Sequence, residues 1–259
     1  MKRIILVFLL VVAVFYFVQP PSVHESSAVY TDKLETIEKA EDSLTIEERG
    51  KRLFSFPEAV QAAVHRRVDQ AHYTPSKNIP QIVKQAIVAT EDKRFYEHGS
   101  VDFLSVARAF YTNMVAGRTV EGGSTISQQL VKNLFLSSKR VWSRKAEELA
   151  LAILLEHYYS KDEILTMYLN TIYYGNQYYG IEEASEGYFH VTPKDLSLAQ
   201  GAMLAGLPQA PTYYNPKVNP EGAVERRRTV LALMLNQGLI TKEEAAKAAN
   251  EPVLPDESP

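Results

Sequence analysis

From about Leu53 to Ala249 the chain never sustains the every-second-residue alternation of a half-buried strand, and it carries instead a series of helix-start signals. Ser160-Lys161-Asp162-Glu163 and Thr241-Lys242-Glu243-Glu244 are capping boxes, in which a hydroxyl and a carboxylate three residues apart satisfy each other's exposed backbone donors. Thr192-Pro193 and Asn219-Pro220 set a capping side chain before a proline at the first helical position. These signals predict helices beginning near 161, 193, 220 and 242. Less sharply marked helices are predicted over 80–91, 102–116, 125–135, 144–159 and 181–189. The stretch from Gly206 to Pro220 reads as a long ordered loop, because it holds Pro208, Pro211, Pro216 and Pro220, and residues 251–259 read as a frayed tail. The fold class is mainly α, with one domain over residues 51–250.

Charge is partitioned along the chain. Residues 1–23 sum to +2, residues 24–50 to −5, and the rest balance at 23 bases and 23 acids. No part is a nucleic-acid binder by bulk charge. Cysteine is absent, which removes disulfides, thiolate nucleophiles and zinc-thiolate sites. The six histidines form no pair at helical ligand spacing, so no metal site is expected.

At the start, Lys2 and Arg3 precede fifteen apolar residues, Ile4 to Val18. At about 1.5 Å per residue such a helix spans about 22 Å, short of a hydrocarbon core of about 30 Å. The bulky Phe15, Tyr16 and Phe17 do not suit a small-residue cleavage site, which favours a retained anchor over residues 1–20. The basic flank then stays in the cytoplasm and everything after Pro21 lies outside. Residues 21–50 carry eight acids against three bases and read as a solvated stalk with some helical tendency.

The helix near Ser143 carries an apolar run, Leu149 to Leu155, opened by Glu148, and an ionised carboxylate entering a buried helix needs partners. Arg144 lies one turn before it, so an ion pair is the plain reading. Against that reading, Arg144 and Lys145 stand in the first turn, where the helix dipole disfavours cations. The segment from Lys132 to Lys145 holds Lys132, Lys139, Arg140, Arg144 and Lys145 with no acid, which suits either an anion site or a solvated basic face. Upstream, Gly122-Gly123-Ser124-Thr125 leads into a helix and offers backbone amides to an anion. Glu91-Asp92 ends an apolar helical run, which suits either a carboxyl with its pKa raised toward general acid or base work or a plain surface acid at a helix end, and His98 stands close enough to orient a carboxylate or cap a helix end. The clustered tyrosines from 158 to 188 suit a sugar-stacking surface or, as their helical spacing favours, a core with hydroxyls reaching polar rims.

Together these residues resemble the peptidoglycan glycosyltransferases of glycosyltransferase family 51, over roughly residues 79–245. The motif E-D-x-x-F-x-x-H-x-G is present from Glu91 to Ser100, with Ser100 in place of the usual final Gly. G-G-S-T-I-T-Q-Q-L-x-K-N runs from Gly122 to Asn133, with Ser127 for Thr, and R-K-x-x-E from Arg144 to Glu148. Further matches are I-L-x-x-Y-L-N over Ile164–Asn170, L-A-G-L-P-Q-A-P over Leu204–Pro211, and Arg226-Arg227. The resemblance implies a lysozyme-like helical head with a smaller membrane-proximal lobe, a bacterial inner-membrane location with the catalytic domain on the outer face, and polymerisation of lipid II into glycan strands with release of undecaprenyl diphosphate. It implies Glu91 as the base and Glu148 as the second carboxylate. It also implies that Ser124, Thr125, Gln128, Gln129, Lys132, Arg140 and Arg144 bind the substrate sugar and pyrophosphate, with Lys145 as support. Its partners are the membrane, lipid II, the growing strand and other cell-wall synthesis proteins; no cofactor is required, and a divalent cation such as Mg or Mn is optional. A lytic hydrolase would not need the basic segment, and an inactive membrane-anchored scaffold would tolerate loss of Glu91 or Glu148.

Overall fold

The computed structural model describes residues 32–118, 122–136 and 142–255. The apolar run at residues 4–18 lies outside these, and no helix among the described residues is long and apolar enough to cross a membrane. Twelve α-helices follow one another there: α1 (Asp32–Ser43), α2 (Ile46–Phe54), α3 (Phe56–Arg67), α4 (Gln81–Glu91), α5 (Phe103–Ala116), α6 (Ile126–Phe135), α7 (Trp142–Tyr158), α8 (Lys161–Thr171), α9 (Gly180–Phe189), α10 (Leu198–Gly206), α11 (Pro220–Asn236) and α12 (Lys242–Asn250). Among the described residues no strand forms beyond a single bridge between Tyr173 and Tyr179.

Both capping boxes close as the spacing predicts, at Ser160 and at Thr241. Thr192-Pro193 does not open a full helix. It opens one 3-10 turn, Pro193–Asp195, after which Leu196 is extended and α10 begins under a further box, Ser197 with Gln200. A box satisfies two exposed backbone donors, whereas the Thr192 hydroxyl bonds only the Asp195 side chain, so the helix starts where more of its first-turn N–H groups are satisfied.

Two packed groups share one core. In the first, α10 lies against α4 and α11, with α12 behind α11; in the second, α6 packs on α7 and α8, with α3 and α9 at its flanks. Helix α6 is buried on most sides and α8 is buried from Ile164 to Thr171, so these two form the centre on which the site is mounted. Close contact between α10 and α4 requires Gly201, since a Cβ there would stand 2.9 Å from Val83 Cγ2. Asn170 at the end of α8 fixes the loop before α4: its Oδ1 accepts from Thr74 N at 2.8 Å, and its Nδ2 donates to the carbonyls of Thr74 and Thr166.

The acidic stretch is not bare spacer to its end. Helix α1 lies within it and α2 begins in it, and Glu41 is only 5% exposed, accepting from Arg52 and from Arg66 at 2.9 Å. Arg49 of α2 reaches Glu147 of α7 at 2.7 Å. Glu41–Arg52 thus joins α1 to α2, while Glu41–Arg66 and Arg49–Glu147 fasten the pair to α3 and α7. Ile37 of α1 is buried as well, so the segment contributes packing along with charge.

Candidate active site

Helix α4 stops at Glu91 because Asp92 leaves helical backbone geometry (φ −158°, ψ 73°). The Asp92 side chain is buried, with Oδ1 2.7 Å from His98 Nε2 and Oδ2 accepting from Ile126 N at 3.1 Å. His98 Nδ1 faces the Gly99 carbonyl at 2.5 Å. Burial opposes charge on this ring, but Asp92 and the Gly99 carbonyl outweigh it and hold the His98 pKa above its ordinary 6.5. Asp92 and His98 thus tie the end of α4 to the start of α6.

The glycine-rich loop is held in the same manner. Thr125 caps α6 by accepting from Gln128 N at 3.2 Å, and its hydroxyl donates to the Ser100 carbonyl at 3.1 Å. Gln128 Nε2 donates to that carbonyl at 2.9 Å. Thr125 and Gln128 are buried, so both hold the loop, while Ser124 stays exposed above them.

Gln129 points elsewhere. Its Nε2 donates to Glu91 Oε2 at 2.9 Å, and its Oε1 accepts from the Tyr168 hydroxyl at 2.9 Å. Burial raises the Glu91 pKa; the Gln129 bond and the positive charge of Arg226 oppose the rise, Asp92 adds to it, and the balance remains upward. Arg226 comes from α11, where its Nε donates to the Gly206 carbonyl at 3.0 Å and its guanidinium lies 5.5 Å from the Tyr214 ring centre. Glu91 Oε1 has no hydrogen-bond partner among the described residues.

Glu148 is 3% exposed on α7. The partner expected for it was Arg144, which is present at 3.6 Å from Oε2, but Lys145 makes the closer contact, to Oε1. Lys145 Nζ also lies 3.4 Å from Ser124 Oγ and from Gln128 Oε1, joining α7 to the glycine-rich loop. Arg144 Nε and Nη1 are buried and have no hydrogen-bond partner among the described residues. Lys132 is exposed on α6, one turn after Gln128 and so near the same face. Arg140 and Lys139 lie outside the described residues.

Two residues escaped assignment from sequence. Tyr168 is fully buried like its neighbouring core tyrosines, but its hydroxyl belongs to the Glu91 network. Arg226 and Arg227 were one motif, yet they diverge: Arg227 donates to the carbonyls of Ala249, Glu251 and Pro252, while Arg226 faces Glu91. Neighbouring helical positions point about 100° apart, which was the available signal.

Asp92, His98 and Asp102 bring three potential metal ligands within 4.8 Å of one another. Asp102 is already paired with Arg94 and accepts from Ser105 N at 3.0 Å, so a cation there would displace a guanidinium. A separate cavity of about 280 Å³, lined by Gln81, Lys84, Gln85, Lys93, Tyr96 and Gln237 among others, includes neither Glu91 nor Glu148.

Known proteins resemble this chain in sequence. Residues 58–235 match the model of the transglycosylase family. Penicillin-binding protein 1F of Bacillus subtilis (strain 168) is 50% identical over 170 residues, 66% of this chain and 24% of its own length. Penicillin-binding protein 1A of Neisseria flavescens is 48% identical over 179 residues, 69% of this chain and 22% of its own. The chain thus spans about a quarter of the length of the curated relatives it matches. Among solved structures, penicillin-binding protein 1A from Haemophilus influenzae aligns with 70% of this chain and 18% of its own at 25% identity and a TM-score of 0.42. With the greater part of its length matched in this way, the chain belongs to the transglycosylase family.

Proposed function

We propose that this protein polymerises lipid II into peptidoglycan glycan strands by inverting glycosyl transfer, releasing undecaprenyl diphosphate. The observation that carries the reading is Glu91: a carboxylate with raised proton affinity, gripped at Oε2 by Gln129, with Oε1 left open. In the step, the acceptor's 4-hydroxyl oxygen bonds to the donor's anomeric carbon and its proton passes to Glu91 Oε1. The bond from that carbon to the diphosphate breaks, and its electron pair leaves with the lipid diphosphate.

The developing negative charge needs pre-placed cations. Arg144, with buried N–H groups lacking acceptors, and exposed Lys132 are assigned to the diphosphate, and Arg140 with them on the resemblance. Ser124 and Gln129 border the donor sugar, while Thr125 and Gln128 shape the loop beneath it. Glu148 organises Arg144 and Lys145 around the leaving group.

A lipid-borne substrate places the site at a membrane surface. Helix α5 supports this, since Phe103, Leu104, Tyr111, Met114 and Val115 are each 61–69% exposed, an apolar face that a bilayer would cover. The protein is accordingly read as a single-pass inner-membrane protein with its head on the outer face, working with the growing strand and other cell-wall synthesis proteins.

Purified full-length protein in detergent is expected to convert lipid II to polymer, and Glu91→Gln to abolish this while the thermal melt stays cooperative. Wild-type protein that binds lipid II but forms no polymer across several detergents, with and without Mg or Mn, overturns the proposal.

A further inference from the structure

Tyr168 lies in the core of α8, fully buried, with its hydroxyl 2.9 Å from Gln129 Oε1. A phenol there keeps its proton, because burial and then the charge of Glu91 drive its pKa well above the ordinary value of 10.0. It therefore acts as a donor, and Gln129 Oε1 is its acceptor among the described residues. A primary amide has one acceptor end and one donor end. Once its oxygen is claimed by Tyr168, the NH₂ group must face Glu91.

We propose that Tyr168 is a positioning residue for the reaction: by holding the Gln129 amide in one orientation, it guarantees that Glu91 receives a hydrogen-bond donor and stays ionised as a base. The inference rests on the reading of Glu91 as that base. Without the hydroxyl, the amide is free to turn over and present its carbonyl, which pairs with a protonated carboxyl and not with a carboxylate. Protonation of Glu91 then becomes easier and the base is lost at a higher pH. The other charges around Glu91 do not supply this control. Arg226 from α11 favours the carboxylate but is anchored to the Gly206 carbonyl, and Asp92 disfavours it while being held by His98 and Ile126 N.

The test is the pH dependence of kcat/KM for lipid II polymerisation by the full-length protein. Tyr168→Phe is expected to move the acid limb upward by about one pH unit, the scale of a lost hydrogen bond to a charged group, so that turnover falls about tenfold below the limb and recovers above it. Tyr174→Phe removes another buried hydroxyl, one that lies 3.4 Å from the Leu169 carbonyl and has no bond to Gln129, and should leave the limb in place. In a Gln129→Ala background, Tyr168→Phe should add no further shift, because it acts through the amide. A folded Tyr168→Phe protein with an unmoved limb, or shifts that add in the double variant, overturns the proposal. If the Phe variant fails to fold, 3-fluorotyrosine placed at 168 decides: a stronger donor there should lower the limb, and an unmoved limb refutes the lock. Failure of the underlying reading is distinct, because then Glu91→Gln itself would still polymerise lipid II.

Discussion

Glu91 shows how one residue is placed at odds with its surroundings. Its folded-state carboxyl holds a proton to a higher pH than the ordinary 4.5 of the unfolded chain, chiefly through burial. Raising the pH from 4.5 through the folded value therefore lowers stability, and the cost is fully present above it. Glu91→Gln removes that titration. The variant is expected to melt at a higher temperature than wild type at pH 7 to 8, with the difference closing as the pH falls toward 4, as thermal melts across that range would record. A wild type that melts higher at every pH would contradict this account. His98 behaves oppositely: its raised pKa gives stability that is complete below 6.5 and is lost as the pH rises through the folded value. His98→Gln should accordingly lose more melting temperature at pH 6 than at pH 9.

At the scale of elements, the helices are placed by local signals and joined by polar side chains. Asn170 satisfies backbone groups on both α8 and the loop before α4, and Thr74, which it holds, is itself buried. Asn170→Ala leaves the Thr74 N–H without its acceptor in the interior. The expected loss is roughly 2–3 kcal/mol, or about 5–10 °C in Tm, by calorimetry. The capping signals made the starts of α8, α11 and α12 legible in the sequence, since a cap is a local interaction between residues three apart. The start of α10 was not assigned, although Ser197 and Gln200 form the same kind of box, because Thr192-Pro193 just upstream offered a competing start. The motif residues of the site were legible, but their division of labour was not. Thr125, Gln128, Asp92 and His98 hold the loop, whereas among the described residues of this segment it is Gln129 that bonds Glu91. That division depends on which side chain meets which across helices far apart in sequence, and spacing along one helix carries no such information.

For the molecule as a whole, the proposed lipid-borne substrate gives the exposed apolar face of α5 a role at a bilayer surface. Replacing Leu104, Tyr111 and Met114 together by Ser removes apolar contact with a bilayer while touching neither carboxylate of the site. Kinetics of lipid II polymerisation in vesicles should show KM raised about three- to tenfold with kcat little changed. Equal losses in both would instead mean that the face supports the fold.

The pairing of Glu41 with Arg52 and Arg66 changes where the head begins. The family match opens at residue 58, yet a chain cut there would lose Glu41 and Arg52 and leave Arg66 without its carboxylate. It would also strip Arg49 from Glu147, the residue beside Glu148 on α7. The physical edge of this folded unit therefore lies at least as far upstream as α1, and a shortened version intended to preserve it should retain residues from Asp32 onward.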